Sequence, residues 1–297
     1  MSLELWRPLL IDRISMNLEI DKNDLYSFAW EQLRGIHDLQ KQLLPEGKIT
    51  LKKEQYATRI GYYPNKKRKI ADIELGQAYQ HRYLKLTLYP PKFAGNEFAE
   101  LKELLGILLP EFRYENFFLH SRVAYIELAC DSLTHPAHSF IPFRAKSNNS
   151  LIFVDGLGGK GSTYLGSTTS DLRFCIYDKA KQLKESKQTV PYKVHTRLES
   201  RVRKLNLPPV ELSLKMLNPF EKLWIADVSL ARSLWTDTHW LSFLDSCENI
   251  GSAASLAKMP KASRKVFMSR LFMARAKWWR PHDHWKGIES ALTKIAP

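Results

Sequence analysis

Three short runs of alternating apolar and polar residues lie close together between residues 161 and 204. They read GSTYLGS, LRFCIYDK and HTRLESRVRK. A period of two is typical of β-strands with one buried face, whereas a helix repeats its apolar residues every three or four positions. Because the three runs follow one another closely, they predict antiparallel strands that lie side by side.

The residues before these runs predict further strands together with a few helices. Strand patterns cover residues 6–20, 83–89 and 122–131, and helical patterns cover residues 21–44 and a stretch that begins near Asn96. Strands and helices in this order favour an α+β fold, an antiparallel sheet with packed helices, over a doubly wound parallel sheet.

The character of the sequence changes after residue 207. Leucines and tryptophans recur at helical spacing in residues 208–297. Earlier in the chain, residues 134–150 are polar and contain proline, and they predict a loop. We therefore expect an α+β domain in residues 1–207 and a mainly helical region in residues 208–297. Within that region, SAASLAKMPKASRKVFMSRL has the pattern of a helix-turn-helix with a proline in the turn.

The charge of the chain favours a polyanionic partner. Its 297 residues include 45 Lys and Arg against 31 Asp and Glu, a formal net charge of +14. Such an excess is typical of proteins that bind nucleic acid. Three scattered cysteines without a CxxC pair argue against a zinc ribbon or a disulfide framework. Without a signal-peptide pattern or a long apolar run, we expect a cytoplasmic protein with no membrane partner.

A basic and aromatic segment between residues 52 and 69 is a second indication of nucleic acid. Lysine and arginine neutralise phosphates, and tyrosine rings stack on exposed bases. A turn is predicted at Tyr62-Tyr63-Pro64-Asn65. The residues that we expect to contact DNA here are Lys66, Lys67, Arg68, Lys69, Tyr62 and Tyr63.

The glycine-rich run at residues 156–161 does not match a phosphate-binding loop. Lys160 is followed by glycine where that loop requires Ser or Thr, and Val154 stands where its first glycine would be. A turn between two strands is the favoured interpretation, which argues against an ATPase.

Tyr177 lies in the run LRFCIYDK with Lys179 two residues away. A phenol has an ordinary pKa near 10, so it needs a neighbouring cation, metal or base before it can attack at neutral pH. Lys179 suits the stabilisation of a phenolate. Attack by Tyr177 on a DNA phosphate would leave a 5′-phosphotyrosyl bond and a free 3′-hydroxyl. Tyr164 is the competing nucleophile.

Three acidic residues on two predicted strands are candidates for a divalent metal site. Glu127 and Asp131 lie on one strand with the same parity, and Glu199 lies on another. If those strands are neighbours, the three carboxylates could meet, and carboxylate oxygens suit Mg²⁺ or Mn²⁺.

Four short motifs occur in a fixed order along residues 120–203: RVAYIELACD, STYLGSTTS, RFCIYDK and RLESR. Together they resemble the replication initiation factor family of plasmids, filamentous phages and integrative elements, the Rep_trans type of rolling-circle initiators. One departure is that Glu127 stands where the first acidic residue of the family is usually aspartate.

The resemblance implies a protein that nicks one DNA strand at an origin through tyrosine and later rejoins it. By this resemblance Tyr177 is the nucleophile, Lys179 stabilises charge, and the three acidic residues bind Mg²⁺ or Mn²⁺. The residues expected to hold DNA phosphate are Arg173, Arg197 and Arg201.

Origin DNA is the implied partner, as a duplex and as a nicked single strand, with a host helicase and a homodimer as further possibilities. The alternatives are a DNA-binding replication or regulatory protein without catalysis and, more distantly, an RNA-processing enzyme.

Overall fold

The computed structural model describes eight segments of the chain: residues 7–20, 48–53, 57–65, 68–78, 81–108, 113–144, 150–154 and 160–297. Within these segments, no helix is long and apolar enough to cross a membrane. The helix expected at residues 21–44 lies outside the described residues, as does the glycine-rich turn at residues 155–159.

The described residues form twelve strands. They are β1 (Leu10–Ile20), β2 (Ile49–Lys53), β3 (Ala57–Tyr62), β4 (Ala71–Ala78), β5 (His81–Leu88), β6 (Arg122–Ser132), β7 (Phe140–Phe143), β8 (Ser150–Val154), β9 (Lys160–Leu165), β10 (Leu172–Asp178), β11 (Thr196–Leu207) and β12 (Trp224–Asp227).

The same residues form ten α-helices. They are α1 (Glu97–Leu108), α2 (Tyr114–His120), α3 (Lys179–Glu185), α4 (Leu212–Lys215), α5 (Val228–Leu234), α6 (Thr238–Ile250), α7 (Ser252–Lys258), α8 (Lys261–Met273), α9 (Pro281–Trp285) and α10 (Ile288–Thr293). Short 3-10 helices lie at Pro90–Lys92, Ala137–Ser139, Pro209–Glu211 and Pro219–Lys222.

The strands are arranged in two sheets. Ten of them follow the order β2-β3-β4-β5-β1-β6-β11-β10-β9-β8, and β12 pairs with β7 in a second sheet. The pairs with recorded register are antiparallel. The predicted α+β class, an antiparallel sheet with packed helices, is confirmed.

The described residues fall into two compact units. Those within residues 1–10, 128–202 and 217–288 form the first unit, and those within residues 11–127, 203–216 and 289–297 form the second.

The core of the second unit follows from the period-two pattern of its strands. Met16 lies opposite Leu86, Leu86 opposite Ile73, and Ile73 opposite Ile60, so one buried residue of each strand contributes to a continuous apolar row. Such cross-strand pairs are the unit of sheet stabilisation. Helices α1 and α2 add a further set of buried residues: Leu101, Leu105, Tyr114, Phe117 and Phe118.

The first unit contains a helical cluster around Trp240, which is fully buried in α6. Its indole Nε1 donates to the carbonyl of Ala231 at 2.8 Å, and its ring contacts Phe243 and Phe267. The tryptophan at the centre of the helical pattern therefore belongs to the core and has its polar group satisfied.

The junction between α6 and α7 is attached to strand β8, which ends the ten-stranded order. Ser150 Oγ donates to the carbonyl of Ile250 at 3.2 Å and accepts from the backbone N–H of Ala254 at 3.0 Å. Gly251 lies between them with φ +85°, a conformation that glycine adopts without the steric cost of a side chain. Helices thus cover the edge of this sheet.

One element of the predicted loop at residues 134–150 differs from expectation. Phe140–Phe143 is a buried strand that pairs with β12, although it contains Pro142. A proline is tolerated in a short strand at the edge of a small sheet because its missing N–H need not join a ladder. The predicted turn after β3 is confirmed, since Pro64 and Asn65 form it.

Candidate active site

Strands β9, β10 and β11 bring the predicted catalytic residues of the first unit together. In the antiparallel register, Tyr164 lies opposite Cys175 and Cys175 opposite Glu199. Two residues further along β10, Tyr177 lies opposite Arg197. Residues two apart on a strand share a face, so these side chains all lie on one side of the sheet.

The central contact of the site joins Tyr177 to Glu199. The Tyr177 hydroxyl donates a hydrogen bond of 2.7 Å to Oε1 of Glu199, and both side chains are buried, at 8% and 3% exposure. The other carboxylate oxygen, Oε2, accepts from Arg201 Nη2 at 3.0 Å. A phenol that donates to a buried carboxylate has a base in place to take its proton.

Asp131 is held by two cationic or potentially cationic side chains. Arg197 donates to Asp131 from Nε at 2.7 Å and from Nη2 at 2.8 Å, a bidentate pair, and His195 Nε2 lies 3.1 Å from Oδ2. Burial alone would raise the pKa of Asp131, but the hydrogen bonds and charges of His195 and Arg197 outweigh it and lower the pKa to about 2.

His195 is the residue that sequence reasoning missed. It lies immediately before β11, it is buried, and its carbonyl accepts from the backbone N–H groups of Lys179 and Ala180 at 2.7 and 3.2 Å. The histidine therefore contacts Asp131 through its ring and the start of α3 through its backbone. Its odd number, shared with Arg197 and Glu199, is the signal that could have placed it on the same face.

Two arginines lie directly opposite each other at the end of the site. Arg173 and Arg201 are register partners on β10 and β11, and their guanidinium groups lie 4.1 and 5.9 Å from the centre of the Tyr164 ring. Arg173 Nε is buried and has no hydrogen-bond partner among the described residues. Like charges opposite each other destabilise a sheet unless something negative offsets them. Glu199 Oε2 offsets the charge of Arg201 at 3.0 Å, which leaves the Arg173 guanidinium suited to an anion.

Tyr164 and Cys175 are less suited to act as nucleophiles. Burial, with a hydrogen bond to Cys175, raises the pKa of Tyr164 to about 12 even though Arg201 and Arg173 oppose the change. Burial and the charge of Glu199 raise the pKa of the Cys175 thiol to about 12. Both groups are therefore protonated at neutral pH.

Lys179 begins helix α3 directly after β10. Asp178 caps this helix by accepting from the Lys181 N–H at 2.9 Å, which fixes the direction in which the chain leaves the strand. Lys179 Nζ donates to Gln182 at 2.7 Å and lies 5.7 Å from the centre of the Tyr177 ring. Its contact with Tyr177 is thus a cation–π contact.

The described residues do not form a ready divalent-metal centre. Among them, no group of three or more His, Cys, Asp or Glu side chains is placed to hold a metal ion. The carboxylates of Asp131 and Glu199 already have partners: arginine, histidine and tyrosine side chains. These partners neutralise the carboxylates or donate hydrogen bonds to them, and so they occupy the oxygens that a metal ion would bind. In this arrangement the residues do not fit Mg²⁺ or Mn²⁺, and their predicted metal role stays a prediction.

Glu127 belongs to the second unit, whereas Asp131 and Glu199 belong to the first. Its Oε1 accepts a hydrogen bond from the hydroxyl of Tyr125, two residues earlier on β6. The Tyr125 ring has the guanidinium of Arg13 at 5.2 Å and that of Arg203 at 5.9 Å. Glu127 therefore lies in a basic and aromatic environment.

The predicted DNA-contacting segment near residue 65 has intramolecular partners in the second unit. Arg68 Nη2 lies 2.7 Å from both carboxylate oxygens of Glu97, and Lys69 Nζ lies 2.9 Å from Asp72. Tyr62 is 4% exposed and its hydroxyl donates to Glu100 at 3.2 Å.

Burial, with Glu100 and other nearby acids, raises the pKa of Tyr62 to about 12. Tyr63 is partly buried, and Lys66 and Lys67 lie outside the described residues. DNA contact by this segment stays a prediction.

No family model matches the chain, and no curated protein matches it. The chain is similar to a solved structure of a rolling circle replication initiator protein from Geobacillus stearothermophilus, with a TM-score of 0.41 and 11% sequence identity. The similarity covers 82% of this chain and 98% of that one.

Proposed function

We propose that the first unit carries the active site of a DNA nicking-closing enzyme that initiates rolling-circle replication, with Tyr177 as the nucleophile. The observation that carries the proposal is the 2.7 Å hydrogen bond from the buried Tyr177 hydroxyl to Glu199. The order of the four sequence motifs supports the same assignment. DNA at a replication origin is the substrate, consistent with the net charge of +14.

In the proposed nicking step, Tyr177 attacks the phosphorus of one phosphodiester. Glu199 takes the phenolic proton as general base, the Tyr177 oxygen bonds to phosphorus, and the bond from phosphorus to the 3′-oxygen breaks. The 3′-oxygen leaves and takes a proton from solvent. Rejoining is the reverse: a 3′-hydroxyl gives its proton to solvent and attacks the phosphotyrosine, the bond from phosphorus to the Tyr177 oxygen breaks, and the phenolate regains its proton from Glu199.

The arginines of the site have different electrostatic roles in this proposal. Arg201 holds Glu199 in place through Oε2, and Arg197 is committed to Asp131. Arg173 is the guanidinium best suited to the DNA phosphate, because among the described residues no carboxylate pairs with it, whereas Arg197 and Arg201 each have one. Fixed donors directed at developing negative charge are often the largest single contribution to catalysis.

We include a divalent metal, Mg²⁺ or Mn²⁺, in the proposal only as a possible requirement of the reaction, which the assay below tests. It would polarise the scissile phosphate. The described carboxylates do not form its site as they stand, so no step above is assigned to it. Helicase recruitment and dimer formation are further proposals that follow from replication initiation alone.

The test is formation of a covalent protein–DNA adduct. The protein is incubated with Mg²⁺ or Mn²⁺ and a supercoiled plasmid that carries its own origin, and the adduct is separated under denaturing conditions. Tyr177→Phe removes only a hydroxyl and should abolish the adduct, whereas the matched Tyr164→Phe should retain it. Glu199→Gln should slow its formation by a factor of about 10² to 10⁴, the range for loss of a general base.

Two outcomes count against this assignment. An adduct that persists in Tyr177→Phe rules out Tyr177 as the nucleophile. A wild-type protein that binds origin DNA but forms no adduct with either metal favours the alternative, a DNA-binding replication or regulatory protein without catalysis. The burial of Tyr177, at 8% exposure, is the observation that favours this alternative.

A further inference from the structure

Helices α7 and α8 form a helix-turn-helix in the first unit. α7 ends at Lys258, Met259 and Pro260 form the turn, and α8 begins at Lys261. Because proline lacks an N–H and disfavours helix in the residue before it, this dipeptide separates the two helices cleanly. The helix pair expected from the sequence is thus present.

One side of α8 is fixed to the core of the helical cluster. Phe267 and Leu271 are buried four residues apart, which places them on the same face of the helix, and the Phe267 ring lies 4.9 Å from Phe243 and 5.6 Å from Trp240. The rigid attachment of this face leaves the opposite face of α8 directed away from the cluster.

Two arginines of α8 are used to build this arrangement. Arg264 donates to the carbonyls of Met259 and Ala257 at 3.0 and 2.9 Å and so satisfies the end of α7. Arg270 Nη1 pairs with Asp237 at 2.6 Å, and its guanidinium lies over Trp240. These two cations are therefore structural.

The opposite face of α8 is exposed and combines lysines with apolar and small polar side chains. Lys261, Lys265 and Ser269 follow one another at four-residue spacing and are exposed. Val266 is 52% exposed and Met273 62% exposed beside them. Within the described part of the chain, neither Lys261 nor Lys265 forms an ion pair.

The charge of the surrounding sequence is one-sided. From residue 249 to residue 282 there is no Asp or Glu, while eight Lys and Arg occur: Lys258, Lys261, Arg264, Lys265, Arg270, Arg275, Lys277 and Arg280. An excess of one sign along such a stretch suits a polyanion such as duplex DNA, whose backbone carries a regular series of negative phosphates.

We propose that the exposed face of α8 is a docking surface for duplex DNA and that α8 lies in the major groove. The groove is about 12 Å wide and admits an α-helix. Lysines at the start of the helix would contact phosphates, and Val266 would contact thymine methyl groups. The proposal goes beyond the nicking chemistry: it assigns duplex binding to a surface separate from the strands that carry Tyr177.

The test measures binding to a fluorescent duplex oligonucleotide by anisotropy, from about 50 to 200 mM salt, a range in which phosphate contacts dominate the affinity. The double variant Lys261→Ala/Lys265→Ala should weaken binding and reduce the slope of log affinity against log salt by about two, one unit for each lost phosphate contact. The matched control, Lys215→Ala/Lys286→Ala, removes the same net charge from exposed lysines elsewhere and should leave the slope nearly unchanged.

Val266→Asp is a second variant, because it places a negative charge in the middle of the face without removing a lysine. It should weaken duplex binding at all salt concentrations while the thermal unfolding midpoint stays close to wild type. An unchanged slope in the Lys261→Ala/Lys265→Ala protein, or an equal reduction in the control, would overturn the proposal. A face that binds another protein instead would give the unchanged slope.

The failure of this inference is separable from the failure of the nicking proposal. The adduct assay on a single-stranded origin oligonucleotide should be unaffected by Lys261→Ala/Lys265→Ala if α8 serves only the duplex. Duplex binding that depends on α8 without any adduct contradicts the chemistry alone. An adduct together with duplex binding that is insensitive to these lysines contradicts the docking surface alone.

Discussion

Two basic regions of the first unit use positive charge in opposite ways. On the sheet, Arg197 and Arg201 are committed to carboxylates, Arg197 at 2.7 Å from Asp131 and Arg201 at 3.0 Å from Glu199. On α8, Lys261 and Lys265 are exposed and form no ion pair within the described residues. The first arrangement fixes one geometry, whereas the second keeps its charges exposed to solvent, where a polyanion can reach them.

The physical cost of the two arrangements differs as well. A buried ion pair loses several kcal/mol of hydration for each charge, and it is stable only while both partners are present. An exposed lysine loses little hydration on folding, because water surrounds it in both the folded and the unfolded protein. Substitutions in the sheet should therefore affect stability first, and substitutions on α8 should affect binding alone.

The largest expected effect is that of Asp131→Asn. The change keeps the shape of the side chain but leaves the buried Arg197 without its counter-charge, which should cost about 3–5 kcal/mol of unfolding free energy. Urea unfolding measures it. The control is Glu211→Gln, which breaks an exposed pair with Lys215 and should cost about 0.5 kcal/mol or less. A cost for Asp131→Asn no larger than the control would mean that the two regions do not differ as described.

The next effect is a loss of stability in acid. The folded protein lowers the pKa of Asp131 from 3.8 to about 2, so the pairing contributes fully above about pH 4 and is lost as the pH falls towards 2. A shift of this size corresponds to about 2 kcal/mol. The stability difference between wild type and Asp131→Asn, measured by thermal unfolding, should therefore shrink over that interval. A constant difference would contradict the pKa assignment.

The smallest of these effects concerns Gly251, at the junction of α6 and α7 that is attached to β8. In Gly251→Ala, the added methyl group would overlap the Ser150 side chain, and the residue would keep a positive φ, so stability should fall by about 1–2 kcal/mol. Gly106→Ala is the matched control: nothing lies within 4 Å of its added methyl group, and alanine is the better helix former by about 0.5–1 kcal/mol. Thermal unfolding of both variants should show shifts of opposite sign. A stabilised Gly251→Ala would show that this junction tolerates a side chain.

Much of the fold could be predicted because period-two alternation is a local property. The strands that carry Tyr177 and Glu199, the strand at residues 122–132 and the α+β class all follow from it and are confirmed. The strand Phe140–Phe143 was missed because four residues that include Pro142 show no local period, and pairing with β12, about eighty residues later, is what makes them a strand.

The candidate site was predictable in its members, apart from His195, but not in their contacts. The sequence indicated Tyr177, Glu199, Asp131 and the arginines. It assigned both acidic residues to a metal, whereas in the structure Glu199 accepts a hydrogen bond from Tyr177 and Asp131 is paired with Arg197. Side-chain type alone does not distinguish a metal ligand from a general base or a partner in a buried ion pair.

The sequence by itself determined which face each side chain takes, because alternate residues of a strand point to opposite sides whatever their neighbours are. Only the tertiary structure decided which residues meet across that face. Tyr177 reaches Glu199 across 22 residues and Arg197 reaches Asp131 across 66, and both contacts depend on strand order and register. A shift of one residue in that register would move Glu199 to the other face of the sheet and remove its hydrogen bond with Tyr177.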